Sequence, residues 1–173
     1  MRRPGRTRRS APTSRMHTVE GTGRAAGFRF VLVVSKYNDF VTDRLQAGAL
    51  AALAAAGVSS SDITVVRVPG AFEIPLAAQR AGESGRHDAV ICLGCLIRGE
   101  TPHFEYIASA VAHGLTTAAG ATGVPMAFGV LTTNSVEEAL ARAGEGSGNK
   151  GHEAAVAAIE MAEVVAQLTR QAT

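Results

Sequence analysis

The stretch "DAVICLGCLIRGETPHFEY" (88–106) holds the transition that decides the fold. It is apolar from Ala89 to Ile97, turns polar at Arg98-Gly99-Glu100-Thr101, and then places Phe104, Ile107, Ala108, Val111 and Leu115 at helical spacing. A short continuous apolar run reads as a strand buried on both faces. The i, i+3, i+4, i+7 spacing after it marks one face of a helix. A strand handed to a helix through a short polar loop is half of a βαβ unit.

The same alternation runs outward in both directions. "FRFVLVV" (28–34) reads as a buried strand, "SKYNDF" as a polar loop, and "VTDRLQAGALAALAAAG" (41–57) as an Ala/Leu helix stopped by Gly57. "ITVVRV" (63–68) is a second strand, and "PGAFEIPLAAQRAGESG" turns into a short helix reaching about Ala81. Downstream, "PMAFGVLTT" (125–133) is the fourth strand, and a helix begins at Ser135, with Glu138 completing a capping box. The glycine-rich link "EGSGNKG" precedes a last helix over 152–168. This pattern predicts an α/β fold: a three-layer α/β/α sandwich on a four-stranded parallel sheet. Ligands in such sheets collect at the carboxyl ends of the strands, which singles out loops 35–40, 69–73, 95–103 and 132–134.

The last helix confines its polar residues Glu160, Glu163, Gln167 and Arg170 to a narrow stripe. An apolar surface that wide needs cover on more than one side, and in so small a domain a subunit interface is the expected cover.

The formal net charge of +2 hides an uneven distribution. Seven of the 17 basic residues are arginines within residues 1–27, alongside the single acid Glu20. The remaining 28–173 carry 10 basic and 14 acidic residues, so this body is mildly acidic and offers no basic patch for nucleic acid. No apolar stretch approaches the roughly 20 residues that span a bilayer, so no membrane segment is expected. Residues 1–27 lack the apolar core of a secretory signal and read as a disordered, Arg-rich extension or an over-long start, in preference to a transit peptide. Residues 28–173 then form the single folded domain. Two cysteines are too few for a disulfide framework, and a reducing cytoplasm is the expected location.

Cys92 and Cys95 look like a redox or zinc motif, but they lie within a strand, where residues three apart face opposite ways. A redox pair needs a helix N-terminus to stabilise its thiolate, and zinc needs two further ligands. The five histidines supply no such cluster, and no metal site is expected. The chemistry lies in the polar segment after the cysteines. Thr101-Pro102 reads as N-cap and first residue of a helix, which aims free N–H groups and a positive dipole end at the strand edge. That arrangement binds anions. Gly99 lets a ligand approach the backbone, and His103 on the first turn can transfer protons near neutral pH.

Other loops add candidates. Tyr37 and Asn38 offer a stacking face and a ring-reading amide. Ala71-Phe72-Glu73 forms a tight turn, with Glu73 able to pair with hydroxyls. Phe128 sits mid-strand, and Arg142 and Lys150 flank the glycine-rich link; judged alone, these three read as core and as solvated surface charges.

Together "SKYNDFVT", "VPGAFEIP", "LGCLIRGETPHFEY", "PMAFGVLTT" and "ARAGEGSGNKGHEAA" resemble the lumazine synthase family over about residues 28–168. The resemblance implies a flavodoxin-like sheet and a transferase of riboflavin biosynthesis. Its reaction condenses 5-amino-6-(D-ribitylamino)uracil with 3,4-dihydroxy-2-butanone 4-phosphate to 6,7-dimethyl-8-ribityllumazine, without metal or organic cofactor. It implies pentamers with active sites shared between subunits, which in the family stay free, pair as decamers or close into 60-subunit shells; the short "GSGNKG" link favours the shell of twelve pentamers, with riboflavin synthase as a further partner. By position, the family's ring-stacking aromatic falls on Tyr37, with Asn38 beside it. Ala71, Phe72 and Glu73 fall on the segment that holds the ribityl chain. Cys95, Leu96 and Ile97 match the strand end at the pyrimidine, Glu100 and Thr101 the phosphate pair, and His103 the proton-transfer histidine. Phe128, Arg142 and Lys150 match residues that a neighbouring subunit supplies. Two other readings stand beside this one: a non-catalytic flavin-binding or shell-forming protein, and a riboflavin synthase, each on the same fold.

Overall fold

The computed structural model describes residues 16–171. Four strands, β1 (Phe30–Ser35), β2 (Ile63–Val68), β3 (Ala89–Ile97) and β4 (Met126–Thr133), form one parallel sheet in the order β2-β1-β3-β4. Five helices follow or link them: α1 (Asp39–Ala55), α2 (Ile74–Glu83), α3 (His103–Thr122), α4 (Val136–Arg142) and α5 (Lys150–Gln171). This is the three-layer arrangement that the alternation predicts, with the flavodoxin-like sheet that the resemblance implies.

Side-chain alternation along the strands builds a core on each face. Phe30, Leu32 and Val34 of β1, with Ala89, Ile91, Leu93 and Cys95 of β3, pack against α1, α4 and α5. Val31 and Val33, with Val90 and Cys92, pack against α2 and α3. All of these strand side chains are buried, and each complete Leu, Ile or Phe burial stabilises by about 2 kcal/mol.

Gly57 ends α1 as the sequence indicates. With φ at 86°, it lets its own N–H reach the Ala54 carbonyl at 3.1 Å and the Val58 N–H reach Leu53 at 3.1 Å. Val58 is buried beneath the turn, which completes a Schellman motif. Ser135 also caps as expected, accepting from the Glu138 N–H at 3.2 Å. The Glu138 carboxylate bonds the N–H of Asn134 instead of the cap residue's own N–H.

Without tryptophan, the structure gains contact by bringing α1 and α5 together at small residues. A Cβ at Gly48 would strike the Asn149 side chain, and one at Gly151 would land on the Leu45 carbonyl oxygen. Buried Ala49, Ala52, Ala154, Ala155 and Ala158 line the same layer.

The boundary expected at residue 27 requires correction. Residues 20–25, assigned by composition to a disordered extension, are held by α5. The Glu163 carboxylate accepts from the Thr22 N–H (2.6 Å), the Thr22 hydroxyl (2.8 Å) and the Gly23 N–H (2.8 Å). Gln167 donates to the Glu20 carbonyl at 2.9 Å, and Ala25 is fully buried. Polar residues read as the solvent stripe of α5 thus receive a chain segment more than a hundred residues away. Residues 1–15 of the expected extension lie outside the described residues. On α5, Val156, Met161 and Leu168 stay exposed.

Burial alone would raise the Glu163 carboxyl, but hydrogen bonds from Thr22, Gly23 and the Arg24 backbone outweigh it and hold it below the ordinary carboxylate range. A depressed carboxyl contributes stability above its unfolded pKa and loses it as pH falls through the folded value. Glu163→Gln should therefore cost about 1 kcal/mol at pH 7, discounted for partial exposure. The deficit should shrink as pH falls below the ordinary glutamate value of about 4.3, where the unfolded chain takes up a proton, and close only when the folded carboxyl protonates at still lower pH. Urea unfolding at the two pH values, with hydrogen exchange at Thr22 and Gly23, measures both effects.

Candidate active site

At the carboxyl ends of β1, β2 and β3 the loops enclose a cleft of about 740 Å³. Tyr37 and Asn38 line it from the β1–α1 turn, and Pro69 to Glu73 from the β2–α2 turn. Cys95, Leu96, Ile97, Gly99 and Thr101 contribute the end of β3 and its loop, while His103, Phe104, Tyr106 and Ile107 contribute the first turns of α3.

Backbone pairing carries these loops past the ends of the strands. The Lys36 N–H bonds Val68 at 2.8 Å, that of Tyr37 bonds Pro69 at 3.1 Å, and that of Arg98 bonds Thr133 at 2.8 Å. Asn38 occupies the left-handed region at φ 60°, the lone non-glycine residue with positive φ among the described residues. That conformation costs about 1 kcal/mol for an L-residue and is best tolerated by Asn and Asp. Here it lets the Asn38 amide donate to the Cys95 carbonyl at 2.9 Å, tying the β1 loop to the end of β3. The buried Thr42 hydroxyl bonds the Ser35 carbonyl at 2.7 Å and secures the same turn from below.

The helix start departs from the sequence reading in one respect. α3 begins at His103, Pro102 is the cap position, and no side chain caps it. Thr101 therefore lines the cleft without capping the helix. The Pro102 carbonyl accepts from Glu105 at 3.1 Å and Tyr106 at 3.3 Å. The free N–H groups of the first turn still lie at the strand's carboxyl edge, so the anion-binding character remains. His103, at the first helical position, faces the cleft.

Arg98 is engaged on three sides beside this helix start. It pairs with Glu105, donates to the Asn134 side chain at 3.0 Å, and lies 4.5 Å from the Phe104 ring centroid. Hydrogen bonding from Arg98, the helix backbone and the Arg98 charge hold the Glu105 carboxyl below its ordinary value.

Most residues singled out in the sequence thus converge: Tyr37, Asn38, Ala71, Phe72, Glu73, Cys95, Leu96, Ile97, Thr101 and His103 all line the cleft. Glu100 does not. Nor do Phe128, Arg142 and Lys150 line the cleft of their own chain. Phe128 is 48% exposed on β4, Arg142 donates to the Glu138 carbonyl at 3.1 Å, and Lys150 pairs with Glu153 at 2.7 Å. Sequence reasoning did not single out Tyr106 as a lining residue, and it assigned Phe104 and Ile107 to the apolar stripe of the helix. Tyr106 and Ile107 stand three and four residues after His103, so helical spacing from that histidine would have found them.

The cysteines sit on opposite faces of the sheet, Cys92 toward α2 and α3 and Cys95 toward α1 and α5. Among the described residues no cluster of three or more His, Cys, Asp or Glu is placed to hold a metal, and no helix is long and apolar enough to cross a membrane.

The cleft occupies the position where such a sheet binds ligands, and the motifs lining it belong to a chain whose residues 27–166 match the family model described as 6,7-dimethyl-8-ribityllumazine synthase. The chain belongs to the lumazine synthase family. Membership supports a role in riboflavin biosynthesis and implies transferase chemistry on small-molecule substrates.

Burial pushes the Cys95 thiol up to about 11 and drives that of Cys92 further in the same direction. Neither should react with Ellman's reagent in the native protein at pH 8 within minutes, whereas both should react after unfolding. Rapid native labelling of either would contradict the buried placement.

Proposed function

We propose that this lumazine synthase family member condenses 5-amino-6-(D-ribitylamino)uracil with 3,4-dihydroxy-2-butanone 4-phosphate to give 6,7-dimethyl-8-ribityllumazine. The observation that carries this reading is the convergence of His103, the open N–H groups of α3, Asn38 and Glu73 on one cleft in a chain of this family. The Tyr37 ring stacks on the pyrimidine, and backbone groups of Cys95, Leu96 and Ile97 read its edge. Ala71, Phe72 and Glu73 hold the ribityl chain, with the Glu73 carboxylate accepting from its hydroxyls. The phosphate rests at the start of α3 beside Thr101, with Glu100 on the same loop.

The amine of the pyrimidine attacks the ketone carbonyl, and loss of water leaves a Schiff base. Elimination then expels phosphate, and ring closure with loss of a second water forms the product. His103 moves protons between the reacting nitrogen, carbon and oxygen atoms and assists the departing phosphate. Because both substrates are held in one cleft, positioning supplies most of the acceleration and proton transfer about 10²–10⁴-fold. No resident metal or organic cofactor takes part.

The charge balance of the cleft supports a shared site. Its lining residues include neither lysine nor arginine, and nearby Arg98 is already paired with Glu105. A dianionic phosphate therefore requires a cation from outside the chain's own cleft. In this reading a neighbouring subunit supplies Arg142, with Lys150 close by and Phe128 covering the ring. The assembly is a pentamer, twelve of which close into a shell able to associate with riboflavin synthase in the cytoplasm.

Purified protein given both substrates should produce lumazine fluorescence, and neither substrate alone should. His103→Ala should lower kcat by about 10²-fold, since positioning survives. Arg142→Ala should lower kcat/KM for the phosphate substrate by about 10–100-fold with little change in KM for the pyrimidine. Unchanged kcat/KM in Arg142→Ala would remove Arg142 from the site. Light scattering distinguishes a shell from a free pentamer.

A further inference from the structure

Asn149 is one of few buried polar side chains among the described residues, 3% exposed, and it uses its whole hydrogen-bonding capacity. Its amide donates to the Arg44 carbonyl at 3.0 Å and the Gly144 carbonyl at 2.8 Å. Its oxygen accepts from the N–H groups of Gly151 at 2.8 Å and His152 at 3.2 Å. An Asn side chain offers two donors and two acceptor sites, so nothing is left over. These four bonds join three pieces of chain: the first half of α1, the start of the segment after α4, and the first turn of α5.

The packing on the α1 side of Asn149 is close. Gly48 of α1 lies so close that any larger residue there would meet the Asn149 side chain, and Gly151 has no space for a Cβ against Leu45. Between Arg142 and Asn149 the chain is Ala-Gly-Glu-Gly-Ser-Gly, with Gly146 at φ 79°. Such a sequence has little stiffness of its own. Its direction is set at its two ends, by α4 and by Asn149.

We infer that Asn149 is the positioning residue for the segment between Arg142 and Lys150, fixing the two cations relative to each other and to α1 so that they can serve a neighbour's cleft. The inference rests on the shared-site reading above and assigns its geometry to a residue that touches no substrate. Cutting the two donor bonds while keeping the helix cap should release the segment without unfolding α5. Asn149→Ser does this, because serine also caps a helix N-terminus. Asn149→Asp keeps the size and the acceptors but turns a carboxylate toward two carbonyls.

The test uses the full-length assembled protein with both substrates, alongside wild type and Arg142→Ala. In Asn149→Ser, KM for the phosphate substrate should rise about tenfold while KM for the pyrimidine stays within twofold. Hydrogen exchange at Gly144 to Gly148 should accelerate at least tenfold, with that of β1 and β3 unchanged. Asn149→Asp should show the same split more strongly. The proposal is overturned if Asn149→Ser folds and keeps both KM values, or if kcat and both KM values change together. It is equally overturned if both variants lose the folded state, which would assign Asn149 to the fold alone. A wild-type protein that makes no lumazine would sink the functional reading; accelerated exchange confined to Gly144–Gly148 would then still support the positioning of the segment.

Discussion

Two neighbouring parallel strands, β1 and β3, pass their chains to helices on opposite faces of the sheet, α1 to one side and α3 to the other. Where the chains diverge, neither loop can cover the carboxyl ends of the strands, and a cleft opens. Its width depends on how firmly the two diverging loops are tied together. The Asn38–Cys95 hydrogen bond is that tie, and it requires a left-handed backbone at Asn38. The local strain is offset by the buried Thr42–Ser35 bond and by the continued pairing of Lys36 and Tyr37 with the β2 end. The shape of this part of the cleft is therefore set by hydrogen bonds within the chain.

What could be read from the sequence was whatever depends on local periodicity. β2 coincides with "ITVVRV", the other strands differ from their expected ends by a residue or two, and Gly57 and Ser135 terminate and start helices as their chemistry requires. Of the four loops singled out at the carboxyl ends of the strands, 35–40, 69–73 and 95–103 line the cleft and 132–134 does not. Features set by distant partners were not legible. The carboxylate that holds Thr22 and Gly23 lies on α5, and composition could say only that residues 20–25 are polar and glycine-rich. Thr101 has the residue type of an N-cap, yet the turn starts one residue too late for its side chain to act as one. The role of Asn149 is also non-local, since one of its acceptors, the Arg44 carbonyl, lies 105 positions away.

The alanine and glycine content of the chain reflects one packing choice. Where bulkier proteins fill space with aromatic rings, α1 and α5 approach until backbone meets side chain at Gly48 and Gly151. Close approach lets a short side chain such as Asn149 reach from one helix to a carbonyl on the other. The same closeness makes the layer unforgiving: overpacking of this kind typically costs about 1–3 kcal/mol, and backbone oxygen in the path leaves no rotamer to relieve it.

Charge placement explains why such precision would be needed so far from the cleft. A helix N-terminus attracts an anion with only about half an elementary charge, and water screens much of it at an exposed site. The one arginine at the helix start is already neutralised by Glu105. A phosphate dianion there would be held weakly without a further cation, and a charge-assisted hydrogen bond adds about 1.5–3 kcal/mol only when donor and acceptor align. An arginine on a flexible glycine-rich arm would lose much of that gain to being ordered. On the proposed shared-site reading, fixing the arm through Asn149 would remove that cost in advance, and substrate affinity would follow from how accurately two subunits meet.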